Sequence, residues 1–279
     1  MKRVLFFFII FFITPAVFAC DVIDDNGRAV RLAHPAKRII SLAPDLTEIL
    51  FAAGAGKRIM GVMQGSDYPS AAKKIPIIAS FNHIDSEAIL ALHPDLIVAW
   101  SENGFVSQLS RLGIPVYLSH QRKITDIPRT MEKLACLSGT SQPAQNAIKH
   151  FQYQYERLQK KYAHKKNITV FYQVWPTPLM TITKNSWISD VIALCGGTNI
   201  FADLIGAAPV VNIEAVIASD PAVILGTGAE LWRKWPKMTA VKHHHLFSIN
   251  PDLIERASSR LLAGAKQLCE LMEAAREGE

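Results

Sequence analysis

The sequence predicts an α/β protein built as two Rossmann-like lobes joined by a long rigid α-helix, with a ligand cleft between the lobes. Three observations carry that reading. Short apolar runs alternate with helix-like segments along both halves of the chain, the pattern of mainly parallel sheets with helices on their faces. One block is written twice, as EAILALHPDLIV from Glu87 and EAVIASDPAVIL from Glu214, and a second pair, TEILFAAGAG from Thr47 and SDVIALCGGT from Ser189, keeps the same order. Between the halves, Ser141 to His164 holds no glycine and no proline after Pro143. Repeats this long are unlike the short periods of solenoids, so they describe two related lobes.

The boundaries expected on this basis are a signal peptide over 1–19, a first lobe over 20–140, a linking helix over 141–165 and a second lobe over 166–279. Lys2 and Arg3 precede an apolar stretch from Val4 to Ile13, then Pro15 and small residues ending at Ala19, the layout of a secretory signal. The stretch is short for a bilayer span, which takes ~20 apolar residues. Export to the periplasm follows, with the mature chain soluble after cleavage. Val17-Phe18-Ala19-Cys20 reads either as an ordinary cleavage site or as a lipoprotein box with a bulky Phe18, which would put a lipid anchor on Cys20.

From Asp21 to Arg38 the turn signal Asp25-Asn26-Gly27 lies between two apolar-bearing segments, a hairpin. IISLAP then reads as a strand and Asp45 to Ala53 as a helix stopped by Gly54. The alternation continues through strand IMGVM, turn QGSDYP, segment IPIIAS, helix EAILAL, strand DLIVAW, helix VSQLSRL and strand IPVYLS. In the linking helix, Ala147, Ile148, Phe151, Tyr155, Leu158 and Tyr162 recur at helical spacing, and more than 20 residues would span roughly 30 Å or more. The second half restarts with NITVFYQVW, then helix SDVIALCGG, helix EAVIAS, strand AVILGT and a terminal helix from about Ser258 to Arg276; WRKWPKMTAVKHHHLFSINPDL is left unassigned.

The formal charge is +6, of which Lys2 and Arg3 supply two, and no basic patch with interleaved aromatics is present, so nucleic acid is not a predicted partner. Four cysteines in an oxidising compartment allow three pairings. Cys195 and Cys269 each fall in a helix-like apolar run, as a disulfide or as buried thiols. Catalytic signatures are absent: no G-x-S-x-G elbow occurs, the glycines at 54, 56 and 61 miss the dinucleotide spacing, and Gly56-Lys57-Arg58 fails as a phosphate loop. His243, His244 and His245 invite a metal reading, but three consecutive histidines cannot all face one ion and no acid or cysteine stands at ligand spacing, which favours a solvated loop.

Glu87 and Glu214 each fall in the first turn of a helix behind a capping residue. A carboxylate there gains about 0.3–1 kcal/mol from the helix dipole alone. Their equivalence in the repeat adds a second reading, a matched pair on one outer surface suited to a two-fold partner with basic pockets. Loops after the strand ends, where open α/β sheets bind ligands, carry Pro44, Asp67-Tyr68, Phe81, Trp100, Phe105, Trp175, Trp187 and the segment from Asp252 to Arg256. An aromatic-lined, sparsely charged cleft suits a large, partly planar ligand.

Taken together, KRIISLAPDLTEILFAAGAG, the GSDYP turn, ALHPDLIVAW, VFYQVW, ISDVIALCGGTNIF and RASSRLLAGAKQLC resemble the cobalamin-binding periplasmic proteins of ABC importers, from about Lys37 to Glu270. The broader group also holds siderophore and haem binders. The resemblance implies cobalamin as a transported ligand, no cofactor and no catalytic step, and delivery to a permease dimer with its ATPase subunits. Glu87 and Glu214 fall on the family's docking glutamates, which meet permease arginines. Trp100, Asp252 and Arg256 fall on ligand-contacting positions, and Cys195 with Cys269 on the family disulfide. Gly65 stands where a tyrosine meets the corrinoid, and Phe81 and Ala208 each replace a tryptophan; Trp175 is the candidate to refill that wall. Asp252 and Arg256, four apart, could instead pair with each other and only orient the wall. The alternatives are a ferric siderophore or haem receptor of the same fold and, in a different class, an exported metal-dependent enzyme using the histidine-rich segment.

Overall fold

The computed structural model describes residues 19–100 and 104–278. The expected signal peptide falls outside them up to residue 18. Cys20–Ile23 (β1) and Ala29–Leu32 (β2) pair as the expected antiparallel hairpin. Gly27 closes its turn at φ 80°, a backbone state that costs glycine nothing sterically.

The first sheet is built by Ile39–Ser41 (β3), Pro44–Ala52 (α1), Ile59–Met63 (β4), Ile77–Ala79 (β5), Ser86–Ala91 (α2), Leu96–Ala99 (β6), Gly104–Arg111 (α3) and Val116–Leu118 (β7). Its strands are parallel in the order β5-β4-β3-β6-β7. β3, β6 and β7 are buried at every position, as parallel strands covered on both faces must be. Ile40, Ile97 and Leu118 fill one face under Ile89 of α2 and Leu109 of α3.

Asp126–Ser138 (α4) has no counterpart among the expected elements. It tolerates Pro128 because that residue sits in the first turn, where its missing N–H leaves no helical bond unmade, and it stops at Gly139 in the left-handed conformation. Ser141–Tyr162 (α5) then runs unbroken for 22 residues, and Pro143 is again in the first turn.

The second sheet uses Ile168–Gln173 (β8), the short hairpin Trp175–Pro176 (β9) and Leu179–Met180 (β10), Trp187–Leu194 (α6), Gly197–Asn199 (β11), Ile213–Ser219 (α7), Val223–Gly226 (β12), Thr239–Lys242 (α8) and Leu246–Phe247 (β13). Pro251–Ile254 (α9) and Leu261–Glu277 (α10) complete the chain. The sheet is parallel in the order β11-β8-β12-β13. The duplication is now explicit: β3-α1-β4 matches β8-α6-β11, and α2-β6-β7 matches α7-β12-β13. Glu87 and Glu214 therefore open helices that enter equivalent strands.

One apolar cluster runs from Leu46 and Ile49 of α1 through Leu134 of α4 and Phe151 of α5 to Ile192 of α6 and Leu268 of α10. The two sheets thus share a core along the linking helix. Two disulfides tie its ends, Cys195 to Cys269 and Cys20 to Cys136.

Three expectations need correction. The sulfur that would carry a lipid on Cys20 is bonded to Cys136, and one sulfur cannot form both a thioether and a disulfide, so the anchor is not available. The histidines are not one solvated loop: His244 is exposed, but His245 is buried, with Nδ1 3.1 Å from the Ala222 carbonyl oxygen. The terminal helix begins at Leu261 because Ser258 is turned inward, its hydroxyl donating to Glu48. Among the described residues no helix is long and apolar enough to cross a membrane, and no group of three His, Cys, Asp or Glu is placed to hold a metal.

Candidate functional site

In both sheets the strand order reverses beside the central strand, between β3 and β6 and between β8 and β12. The crevice beyond the carboxyl ends of the strands at such a reversal is where open α/β sheets take ligands. Pro44 follows β3, Asp67 and Tyr68 follow β4, Phe81 follows β5 and Trp100 follows β6 directly. From the second sheet come Trp175 after β8 and the segment from Asp252 to Arg260 after β13.

Trp100 is 41% exposed. Its indole N–H donates to Asp45 Oδ1 at 2.6 Å. Asp45 itself is buried, in the first turn of α1. Burial pushes its carboxyl pKa up to about 7, against the Leu46 N–H and the indole N–H, which favour the ionised form; nearby Glu48 adds repulsion. Phe81, 91% exposed, stands with Trp100 over Leu42, Met63, Ile84 and Val106 around a depression of about 130 Å³. Trp175, 54% exposed, follows the central strand of the other sheet and does not line this depression.

The two sheets are joined across the floor of the crevice by Glu48. Its Oε1 accepts from Arg256 Nη1 at 3.0 Å and Arg260 Nη2 at 2.5 Å, and its Oε2 from the Ser258 hydroxyl at 2.6 Å and Arg260 Nε at 2.8 Å. Arg256 also donates to Asp67 Oδ1 at 2.8 Å and pairs with Asp252 Oδ1 at 2.7 Å. Hydrogen bonding from Arg256 holds the Asp67 carboxyl below its usual range. The Arg260 guanidinium lies 3.9 Å from the Tyr68 ring centroid, within cation–π range.

Of the expected ligand residues, the structure thus groups Trp100 with Phe81 and pairs Asp252 with Arg256. The sequence reading missed Asp45, Glu48 and Arg260. A signal for the first two exists: in PDLTEILFA two acids three apart interrupt an otherwise apolar helix, and acids on a core-facing turn require partners.

Glu87 and Glu214 are both exposed, each the second residue of its helix. The caps match as well: Asp85 Oδ1 accepts from the Ala88 N–H at 2.9 Å and Asn212 Oδ1 from the Ala215 N–H at 2.7 Å.

Two α/β lobes on one continuous helix, with an aromatic crevice at facing strand ends, define a bilobal solute-binding protein. A model of the periplasmic binding protein family matches residues 39–253, and the chain belongs to that family; it is a binding protein, not an enzyme. It is 34% identical over 275 residues to the vitamin B12-binding protein of Vibrio campbellii, covering 95% of this chain and 97% of that one. With the vitamin B12-binding protein of Yersinia pestis it shares 37% over 248 residues, 86% of this chain and 88% of the other. The crystal structure of the periplasmic vitamin B12 binding protein of Vibrio cholerae superposes with a TM-score of 0.82 at 35% identity, over 87% of this chain and 98% of that chain. A periplasmic haem-binding protein from Roseiflexus shares the fold, with a TM-score of 0.76 at 21% identity over 86% of this chain and 99% of the other.

Proposed function

We propose that the chain is the periplasmic solute-binding component of an ABC importer, soluble after signal cleavage, that takes cobalamin or a related corrinoid between its lobes. One observation carries the ligand class: aromatic surface at the strand ends is exposed while the two guanidinium groups beside it are already paired. Arg256 and Arg260 are committed to Glu48, Asp67 and Asp252. Haem with its two propionates, or an anionic ferric siderophore, calls for guanidinium groups free to bind it. A corrinoid, with a broad ring and a rim of neutral amides, needs apolar walls and a few polar contacts. Likeness to vitamin B12-binding relatives along nearly the whole chain supports the same reading.

Phe81, Trp100 and Trp175 are the proposed walls, with Asp252 and Arg256 orienting the floor. Glu87 and Glu214, at matching points of the duplicated fold, are the proposed contacts for basic pockets on the two halves of a permease dimer. A side-by-side titration of the mature chain with cobalamin, cobinamide, haem and a ferric siderophore tests the ligand. Cobalamin binding in the micromolar range or tighter is expected. Failure of cobalamin where another ligand binds overturns the reading.

A further inference from the structure

We infer that Asp45 is a positioning residue for the ligand wall: its buried carboxylate holds Trp100 by the indole N–H and so fixes the ring that meets the ligand, most firmly when the carboxylate is ionised. The inference rests on the reading of Trp100 as a wall of the cleft. Trp100 directly follows β6 and is still 41% exposed, so packing alone leaves its ring room to turn. A hydrogen bond of 2.6 Å from Nε1 to a carboxylate on the neighbouring helix removes that freedom.

The simpler account is that an acid in a first turn merely complements the helix dipole. Such acids gain from the dipole while staying in water, whereas Asp45 is only 2% exposed. Satisfying an indole N–H does not require a charge, since a neutral amide or a water serves it at lower desolvation cost. What a carboxylate adds is a bond roughly twice as strong as a neutral one, in a direction set by a rigid helix.

Besides the indole, the Asp45 carboxylate meets the backbone N–H groups of Leu46 and of Asp45 itself, while the charged and polar side chains nearby are engaged elsewhere. On α1, Glu48 stands one turn further and is held by Arg256, Ser258 and Arg260 from the segment after α9. From the turn after β4, Asp67 is bound to Arg256, and Tyr68 lies under Arg260. From β3, Ser41 is joined through Thr47 to Ser66 by neutral hydroxyl bonds. The facing group from β6 is Trp100. Because burial has moved the Asp45 carboxyl to about 7, a small fall from neutral pH protonates it and turns a charge-assisted bond into a neutral one.

The test uses the mature chain and its Asp45→Asn, Asp45→Ala and Trp100→Phe variants. Cobalamin dissociation constants measured from pH 8 to pH 6 should rise about three- to tenfold for the native chain, the size of half a charge-assisted bond. They should stay flat for Asp45→Asn and Trp100→Phe, with Asp45→Ala weak at every pH and Asp45→Asn closer to native. In parallel, the fluorine spectrum of ligand-free protein carrying 5-fluorotryptophan, with the Trp100 signal assigned by Trp100→Phe, should shift with a midpoint near neutrality and lose that shift in Asp45→Asn. A native pH profile in Asp45→Asn overturns the inference. If cobalamin binds at no pH, the proposed function fails instead, and the fluorine signal still decides: a Trp100 resonance indifferent to pH refutes the positioning role.

Discussion

Replacing Glu48 by Gln keeps the shape of the side chain and removes the charge that joins the two lobes. Glu48 is fully buried, while the side chains of Arg256 and Arg260 retain 16% and 20% exposure. Removing one partner of a buried ion pair typically costs about 3–5 kcal/mol, because the opposite charge is left uncompensated. Here both guanidinium groups can recover some water and Arg256 keeps Asp67 and Asp252, which places the expected loss near the lower bound, about 3 kcal/mol. Urea unfolding followed by circular dichroism measures it. The same variant should widen the ligand-free chain in small-angle scattering, since all three partners of Glu48 belong to the opposite lobe. A loss below about 1 kcal/mol, the worth of an exposed pair, together with an unchanged scattering profile, would show that Glu48 neither stabilises the fold nor latches the lobes.

Trp100→Ala should weaken cobalamin binding by about 1–3 kcal/mol, one to two powers of ten in the dissociation constant; calorimetry showing native affinity with an intact fold would move the binding site elsewhere. Changing both Glu87 and Glu214 to Ala should leave ligand affinity alone and reduce uptake and permease association, with a difference that shrinks at high salt; normal uptake ends the docking role. Cys195→Ser with Cys269→Ser opens a loop of 74 residues and should cost about 4 kcal/mol in the chain-entropy account, read as a lower guanidinium midpoint; an unchanged midpoint refutes it. Asp45 binds its proton more tightly folded, at about 7, than the usual 3.8, so between those values the native state holds a proton that the unfolded chain releases. Its contribution to stability therefore falls as pH rises from about 4 to about 7, by up to about 4 kcal/mol, and Asp45→Asn should gain on the native chain over that window; parallel pH–stability curves for the two proteins would contradict it.

Much of the fold is legible in the sequence because its signals are local. Strands β3, β4, β6 and β12 are short apolar runs bounded by turn residues, and the long helix is a stretch with helical spacing and no breaker. The duplicated blocks give the lobe relationship and the equivalence of the two glutamates before any coordinates. α4 escapes that reading because Pro128 argues against a helix unless its position in the first turn is known.

What the tertiary structure decided lies in pairings between residues far apart in the chain. Sequence order placed Trp100 at a strand end, but only the β3–β6 neighbourhood brings Asp45 beneath it. Asp252 and Arg256 could be ligand contacts or a pair; the third partner, Glu48, lies in the other lobe, and although PDLTEILFA signals an acid in need of a partner, no local pattern says that the partner is Arg256. Cys20 could have carried a lipid until α4 delivered Cys136 to it. Periodicity and turn chemistry depend on neighbours a few residues away, so the sequence determines the elements and their order. The partner of a buried charge, an indole N–H or a thiol depends on which elements the packed core sets side by side, and that is settled only when the chain has folded.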